Sequence, residues 1–133
     1  MRSVTCYCGS DKTFTECCEP FLMMKEKPRS VRQLVRARYT AYAIGGGQHG
    51  KFLLHTWHPR TTPNIDVVEI SNDNLTWKGL EIIDAQQQGD TGRVEFKASY
   101  ADDDGNEHVH HEHALFHRIK GLWLYVEGEV EDE

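Results

Sequence analysis

The chain has 133 residues, enough for one domain with a buried core and a small appendage. Its net charge is −6 and 38% of its residues are hydrophobic, a composition typical of a folded globular protein rather than a disordered or fibrous one. No apolar run approaches the roughly 20 residues that a membrane-spanning helix needs. No stretch of signal-peptide type precedes Cys6, so we expect a cytoplasmic protein without membrane association.

Charge is distributed unevenly along the chain. Residues 1–60 hold ten Lys and Arg against four Asp and Glu, whereas residues 61–133 hold five against seventeen. The acidic total argues against a nucleic-acid footprint over the whole surface, so nucleic acid is not an expected partner. A basic surface on the first half is compatible with the sequence, although a solvated helix face would explain the same charges.

The segment CYCGSDKTFTECC, residues 6–18, contains all four cysteines. A reducing cytoplasm opposes disulfides, and cysteines that are adjacent or one residue apart meet disulfide geometry poorly. A catalytic dithiol would be expected in C-x-x-C spacing or beside a base, and neither is present. Two close pairs joined by a turn instead suit a tetrahedral zinc ion at about 2.3 Å from each sulfur. We therefore predict one structural zinc ion, bound by Cys6, Cys8, Cys17 and Cys18. Lys12 would offset part of the negative charge of the thiolates.

Cys6-x-Cys8-Gly9-Ser10 followed by Cys17-Cys18 resembles the SEC-C motif. This small zinc module also ends the translocase ATPase SecA, where it docks the chaperone SecB. Cys18 stands where that relative usually has histidine, and Asp11 replaces a glycine that usually follows the Gly-Ser pair.

Further stretches resemble the YchJ-like family of bacterial proteins over nearly the whole chain: Glu19–Phe21, Arg36–Tyr42, Thr56–Pro59, Trp77–Leu80, Glu112–Phe116 and Gly121–Gly128. The resemblance implies a SEC-C zinc-binding motif over residues 1–27 and a nuclear-transport-factor-2-like or cystatin-like domain over residues 28–133. The biochemical role of that family is uncharacterised, so the resemblance implies no particular activity. Many members carry a second SEC-C motif at the C-terminus, whereas residues 127–133 here are mainly acidic, so we expect no role that needs two zinc modules.

Residues 28–75 have the pattern of helices and a loop. Ser30 and Gln33 form a capping box before apolar residues at helical spacing, and the glycines at 45–47 end the run. A short second helix is predicted over residues 48–56, before His58-Pro59. Residues 60–75 are predicted to form a connecting loop, with a short helix or strand near residues 65–70.

The pattern changes to strands from residue 76 onward. Turns at residues 89–92, 104–105 and 120–121 separate predicted strands over residues 77–87, 93–102, 106–119 and 122–126. Helices followed by a strand meander predict an α+β domain, with the helices packed on a curved antiparallel sheet. The acidic residues 127–133 are expected to fray.

Arg38 lies on the apolar stripe of the first predicted helix, where a charge must be paired or must reach water. Arg38 could extend to water; the alternative hypothesis is a buried ion pair with Glu112, which sits mid-strand among apolar neighbours. Such a pair would stabilise the core or form the base of a ligand pocket. By analogy with cup-shaped folds, His58, Trp77 and Tyr100 are further pocket candidates, with His58 or Glu112 as a proton carrier.

A histidine-rich strand covers residues 108–117. Strand alternation places His108, His110 and Glu112 on one face and three further histidines, at 111, 113 and 117, on the other. Either trio could bind a divalent ion. Histidines on a strand surface need no ligand, however, so the sequence leaves a second metal site open.

Two functions fit these features. The first, which we favour, is a zinc-stapled module that binds a protein partner through a basic and aromatic surface made of Arg2, Lys12, Phe14, Phe21, Lys25 and Lys27. The second is a small-molecule binder or enzyme that uses a cup between sheet and helices, with the zinc merely structural. An exposed sheet face could also support a homodimer.

Overall fold

The structure, a computed structural model, describes residues 5–66, 70 and 75–131. In the described part of the chain, the strands follow helices α1 over Glu19–Leu22, α2 over Val31–Ile44 and α3 over Gly47–His55. The strands are β1 over Thr76–Gln88, β2 over Thr91–Ala101, β3 over Glu107–Ile119 and β4 over Leu122–Glu131. They form one antiparallel sheet in the order β1-β2-β3-β4, and the predicted α+β class is confirmed.

Helix α2 begins and ends where its local chemistry predicts. The Ser30 hydroxyl accepts a hydrogen bond from the Gln33 backbone at 3.1 Å, and the Gln33 side chain accepts one from the Arg29 backbone at 2.7 Å. These bonds satisfy N–H groups at the helix start that have no partner within the helix. The helix ends at Gly45, whose φ of 75° suits glycine.

The remaining helical predictions have mixed outcomes. The second predicted helix is α3, shifted by one residue at each end. The element expected near residues 65–70 falls partly on residues 67–69, which lie outside the described part of the chain. Within that described part, none of the helices combines the length and the apolar character required to cross a membrane.

Strand β4 runs further than the sequence predicted. Residues 127–131 were expected to fray, yet they pair with residues 111–115 of β3, so that expectation is wrong for this segment. The register sets Glu129 opposite His113 and Glu131 opposite His111. Acidic and imidazole side chains facing each other across strands favour pairing, which is why the acidic composition did not prevent a strand. Residues 132–133 lie outside the described part.

One apolar core runs from the cysteine segment through α2 to the sheet. It includes Cys8, Leu34, Phe52 and Trp123, each with at most 2% of its surface exposed. The start of α2 packs closely on β2 at Gly92, where a side chain would overlap Val31. The helix is therefore held against the concave face of the sheet, with the cysteines beside its outer side.

Candidate metal centre and ligand cavity

The four cysteine side chains converge within the first eighteen residues. Cys6 and Cys8 lie in a turn closed by a hydrogen bond from the Cys6 N–H to the Lys12 carbonyl at 2.9 Å, and Cys17 and Cys18 immediately precede α1. The turn passes through Gly9 at φ +86°, a conformation that favours glycine. The local sequence therefore folds both cysteine pairs toward one point.

The sulfur positions match tetrahedral metal binding. Cys8 Sγ lies 3.6 Å from Cys17 Sγ, Cys17 Sγ lies 3.9 Å from Cys18 Sγ, and all four sulfurs lie within 4.8 Å of one another. Four sulfurs at about 2.3 Å from a tetrahedral zinc ion would be separated by about 3.8 Å. None of the four cysteines is in a disulfide. The cluster is therefore compatible with a metal site whose four ligands all come from the protein.

Polar groups surround the sulfurs on the side of α2. The Ser10 hydroxyl lies 3.1 Å from Cys17 Sγ, and the Thr40 hydroxyl lies 3.4 Å from Cys18 Sγ. Arg36 donates to the Cys8 carbonyl at 2.8 Å and has the same nitrogen 3.8 Å from the Cys8 sulfur. Sequence reasoning missed Arg36 and Thr40, although their four-residue spacing placed them on one face of a predicted helix.

The pKa values of Cys8 and Cys18 are shifted in opposite directions. Hydrogen bonds from Cys18 and Cys6 lower the pKa of the Cys8 thiol well below its usual range. Hydrogen bonding with Cys6 and Cys8, together with burial, raises the pKa of Cys18. The Arg36 guanidinium approaches Cys8, the cysteine whose pKa is lowered. A metal cation bound by the sulfurs would stabilise the thiolate forms of all four.

On the opposite side of α2, a cavity of about 320 Å³ separates the helix from the sheet. This is the volume of a small organic ligand, and aromatic rings make up most of its wall. Its polar groups come from α2, β3 and β4. The lining residues are Val35, Arg38, Tyr39, Tyr42, Trp57, Trp77, Phe96, Ala98, His110, Glu112, Phe116 and Tyr125.

Arg38 reaches the cavity as a buried cation between two aromatic rings. Its guanidinium carbon lies 4.8 Å from the ring centre of Trp57 and 4.9 Å from that of Tyr125. Its Nη1 donates to the Leu53 carbonyl and the Thr56 hydroxyl, each at 2.8 Å. Burial lowers the pKa of Arg38, but a guanidinium stays protonated in proteins. Ring faces and the end of α3 therefore stabilise the buried charge.

The predicted ion pair between Arg38 and Glu112 is not formed. Glu112 instead accepts a hydrogen bond from the Tyr125 hydroxyl at 2.7 Å and lies 2.7 Å from His110 Nε2. Tyr125 stands between the two charges, with its ring against Arg38 and its hydroxyl on Glu112. Burial and the neighbouring Glu112 charge raise the pKa of Tyr125, so it remains a proton donor. The two charges share the cavity wall without contact.

Glycine at position 128 makes room for the Glu112 side chain. A Cβ at Gly128 would overlap the Glu112 carboxylate, because β4 passes directly beside it. Only 7% of Glu112 is exposed, yet both of its carboxylate oxygens have a hydrogen-bond partner. This is the condition under which a buried carboxylate is tolerated. The pair of Glu112 and His110 could exchange a proton at the cavity wall.

The chain is similar to known proteins over nearly its whole length. The family model described as "YchJ, middle NTF2-like domain" matches residues 30–128. A UPF0225 protein of Streptomyces coelicolor is 35% identical over 136 residues, which cover 99% of this chain and all of that protein. The chain belongs to the YchJ-like, UPF0225 family.

Two further comparisons agree with this membership. A UPF0225 protein of Deinococcus radiodurans is 35% identical over 124 residues, covering 92% of this chain and 87% of that protein. The solution structure of a SEC-C motif containing protein from Rhodopseudomonas palustris superimposes with a TM-score of 0.85 at 30% identity. That match covers 97% of this chain and 100% of the other. The resemblance noted in the sequence is therefore confirmed for both the family and the fold.

In this YchJ-like chain, two of the predicted pocket residues lie outside the cavity. His58 pairs through its backbone with Tyr125 at 2.8 Å, and its Nδ1 accepts a hydrogen bond from the Arg60 N–H at 3.1 Å. Tyr100 packs against Trp77 and stacks on His108, so it lies beside the wall rather than in it. Trp77 does line the cavity. The histidine of the cavity is His110, which strand alternation had already placed on the face of Glu112.

A second concave surface lies beside the cysteines. This basic groove of about 380 Å³ borders Cys17 and Cys18 and carries Lys12, Lys27, Arg29, Arg32 and Arg36, with Glu16 and Glu26. Of the two aromatic residues predicted for a docking surface, Phe21 lines the groove, and both Phe14 and Phe21 are partly buried against the core. Arg2 lies outside the described residues. The exposed character of this region is therefore more basic than aromatic.

Proposed function

We propose that this protein binds a small, mostly apolar ring compound in the cavity, with a carbonyl or carboxylate oxygen of the ligand beside Arg38. The observation that carries this proposal is a buried guanidinium on the wall of a 320 Å³ cavity whose remaining surface is largely aromatic. A solid core at this position would have argued against ligand binding. Pockets that bind small molecules combine apolar walls with a few fixed polar groups in this way.

The cavity wall is prepared to orient such a ligand. Contacts from Trp57 and Tyr125 hold the guanidinium in place, so it would not need to reorganise on binding. A ligand oxygen would be oriented toward Arg38, which donates hydrogen bonds, and away from the Glu112 carboxylate, which only accepts them.

Nuclear magnetic resonance of the full chain tests this proposal. We expect 1-naphthoate or 1-naphthamide at millimolar concentration to shift the indole N–H signals of Trp57 and Trp77, which line the cavity. Trp123 is buried beside Arg118 outside the cavity wall and serves as an internal reference. A stronger effect of naphthoate would indicate a carboxylate ligand, and equal effects would indicate a carbonyl ligand.

Ala98→Leu, which narrows the cavity, should weaken these shifts, and Ala43→Leu on the far part of α2 should not. If neither compound moves Trp57 or Trp77, or if Trp123 moves equally, ligand binding in the cavity is rejected. Comparing the two leucine variants separates loss of the cavity from a general loss of stability.

We also propose that zinc occupies the cysteine cluster and has a structural role. Four protein sulfurs at tetrahedral spacing leave no open position for a substrate or a reactive water. Reduced cysteines fit a cytoplasmic location. In this role the metal would hold residues 6–18 against α2. Metal analysis of purified protein, with zinc expected at about one ion per chain, tests the identity of the ion.

A second candidate function, binding of a protein partner through the zinc module, is favoured by the basic groove. Its five Lys and Arg side chains outnumber its two carboxylates, so an acidic peptide would be attracted to it. Fluorescence anisotropy with a labelled poly-glutamate peptide tests this. Arg29→Ala and Arg32→Ala should weaken binding, whereas exposed Lys51→Ala should not. Equal binding by all three variants would count against the groove.

A further inference from the structure

The outer face of the sheet carries a cluster of four metal-binding side chains that neither proposed site uses. Glu95 comes from β2, His111 and His113 come from β3, and Glu131 comes from β4. Strand alternation turns these histidines away from the cavity, which receives their neighbours His110 and Glu112. The cluster depends on β4 extending to Glu131, the segment that the sequence had suggested would fray.

The ligand atoms lie close enough together for one ion to replace the hydrogen bonds that now join them. His111 Nε2 lies 2.7 Å from Glu95 Oε2, and His111 Nδ1 lies 3.2 Å from Glu131 Oε2. His113 Nε2 lies 2.5 Å from Glu131 Oε1 and 3.7 Å from Glu95 Oε2. One ligand atom from each residue can be chosen so that all four lie within 4.8 Å of one another. Nitrogen and oxygen ligands at about 2.0–2.2 Å from a tetrahedral ion are separated by roughly 3.4 Å.

Burial, ring stacking and contacts with carboxylates fix the orientation of His111 in the cluster. Only 8% of the His111 side chain is exposed, and its ring stacks on that of His113 with centroids 5.4 Å apart. Each ring nitrogen of His111 faces a carboxylate, so one nitrogen can bind an ion while a carboxylate orients the other. Two neutral imidazoles and two carboxylates carry a charge of about −2, which a divalent cation would neutralise.

We propose that Glu95, His111, His113 and Glu131 form a second metal site, for a divalent transition-metal ion such as zinc or cobalt. Imidazole and carboxylate ligands bind zinc, cobalt, nickel and manganese, whereas the thiolates of the cysteine cluster select softer ions. Both sites can bind zinc, but the two sets of ligands differ in the other ions they accept. His113 and Glu131 are about half exposed, so an ion here can exchange with solvent.

Cobalt titration of the full chain, purified with its cysteine cluster loaded with zinc, tests this site. We expect the protein to bind about one further equivalent of cobalt. Its spectrum should lack the intense near-ultraviolet thiolate-to-cobalt charge-transfer band that replacement of zinc at the cysteines would produce. Binding of no further equivalent, or the appearance of only the thiolate band, would overturn the proposal.

His113→Ala is the decisive variant because His113 is 44% exposed and its loss should not disturb the fold. We expect it to weaken cobalt binding by about tenfold or more. His108→Ala is the matched control, since His108 lies on the same strand, is 45% exposed and pairs with Asp102 away from the cluster. If both variants bind cobalt as the unsubstituted protein does, or both weaken it equally, the assignment to this cluster is rejected.

Discussion

Helix α2 presents one arginine to each of the two sites it separates, and the two arginines have different surroundings. Arg36 is half-buried and donates to the backbone of the cysteine segment, with Thr40 on the same face. Arg38 is buried between two rings in the cavity, with Tyr42 on its face. Side chains four residues apart share one face of a helix, so the two pairs diverge toward different sites.

The comparison distinguishes a local site from an assembled one. All four sulfurs come from thirteen consecutive residues, and the helix adds only the polar groups around them. The cavity draws its wall from α2, the segment after α3 and all four strands, so each element contributes one to four side chains. A substitution at one of the cysteines should therefore strongly reduce metal binding and the stability of the cysteine segment. A substitution at the cavity should act through packing between elements.

The largest expected effect comes from Cys8→Ser. Removing one sulfur should abolish stoichiometric metal binding, because three thiolates with a hydroxyl are a much poorer zinc site. Structural zinc contributes about 10–16 kcal/mol to the folding of isolated zinc-finger peptides, so the loss should exceed that of any single packing change. Metal analysis and thermal unfolding measure both consequences.

Asp11→Ser is the matched control for Cys8→Ser, since Asp11 is exposed in the same turn. It should keep full metal content and a nearly unchanged melting temperature, because exposed substitutions usually alter stability by less than about 0.5 kcal/mol. A Cys8→Ser protein that retains one tightly bound ion, or that melts with the control, would contradict a structural metal centre.

An intermediate loss of stability is expected from Gly128→Ala, which alters the cavity wall and not the metal site. The added methyl group would overlap the Glu112 carboxylate and force it from its contacts with Tyr125 and His110. Overpacking of this kind costs about 1–3 kcal/mol. Denaturant unfolding should show the loss, while metal content stays unchanged.

Gly79→Ala separates this clash from the general effect of replacing a strand glycine. Gly79 lies in β1, and a methyl group there would meet no atom within 4 Å. We expect a change smaller than that of Gly128→Ala, because alanine adds no overlap at this position. Equal losses of stability in the two variants would show that the close approach of Glu112 is not the cause.

The sequence predicted the local features well because neighbouring residues determine them. The cysteine cluster and the Ser30 cap depend on spacing within one segment, and both were found. The predicted ion pair between Arg38 and Glu112 was wrong because the hydrophobic pattern of a sequence cannot show which residue lies between two buried charges. Here that residue is Tyr125, and its position follows from pairing between β4 and Trp57 in the segment after α3.

It was harder to predict from the sequence which side chains meet on the outer face of the sheet. Alternation correctly separated the histidines of β3 into two sets, but their carboxylate neighbours come from other strands. Glu131 could be placed beside His111 and His113 only once the register between β3 and β4 was known. Residues far apart in sequence meet through strand register, which a bulge or an unexpected extension of a strand changes.

The smallest effect is expected from Thr40→Val, which tests how far the helix supports the metal site. The Thr40 hydroxyl lies 3.4 Å from Cys18 Sγ and donates to the Arg36 carbonyl at 2.9 Å. Valine keeps the side-chain volume and removes the hydroxyl, so zinc affinity should fall by about tenfold, within the range for losses of groups that orient metal ligands. Competition with a chromophoric chelator measures the affinity, and Thr40→Ser, which keeps the hydroxyl, should restore most of it. If serine and valine weaken zinc binding equally, packing rather than the hydroxyl connects α2 to the cysteines. The Thr40 face of α2 would then act through packing, as the cavity face does.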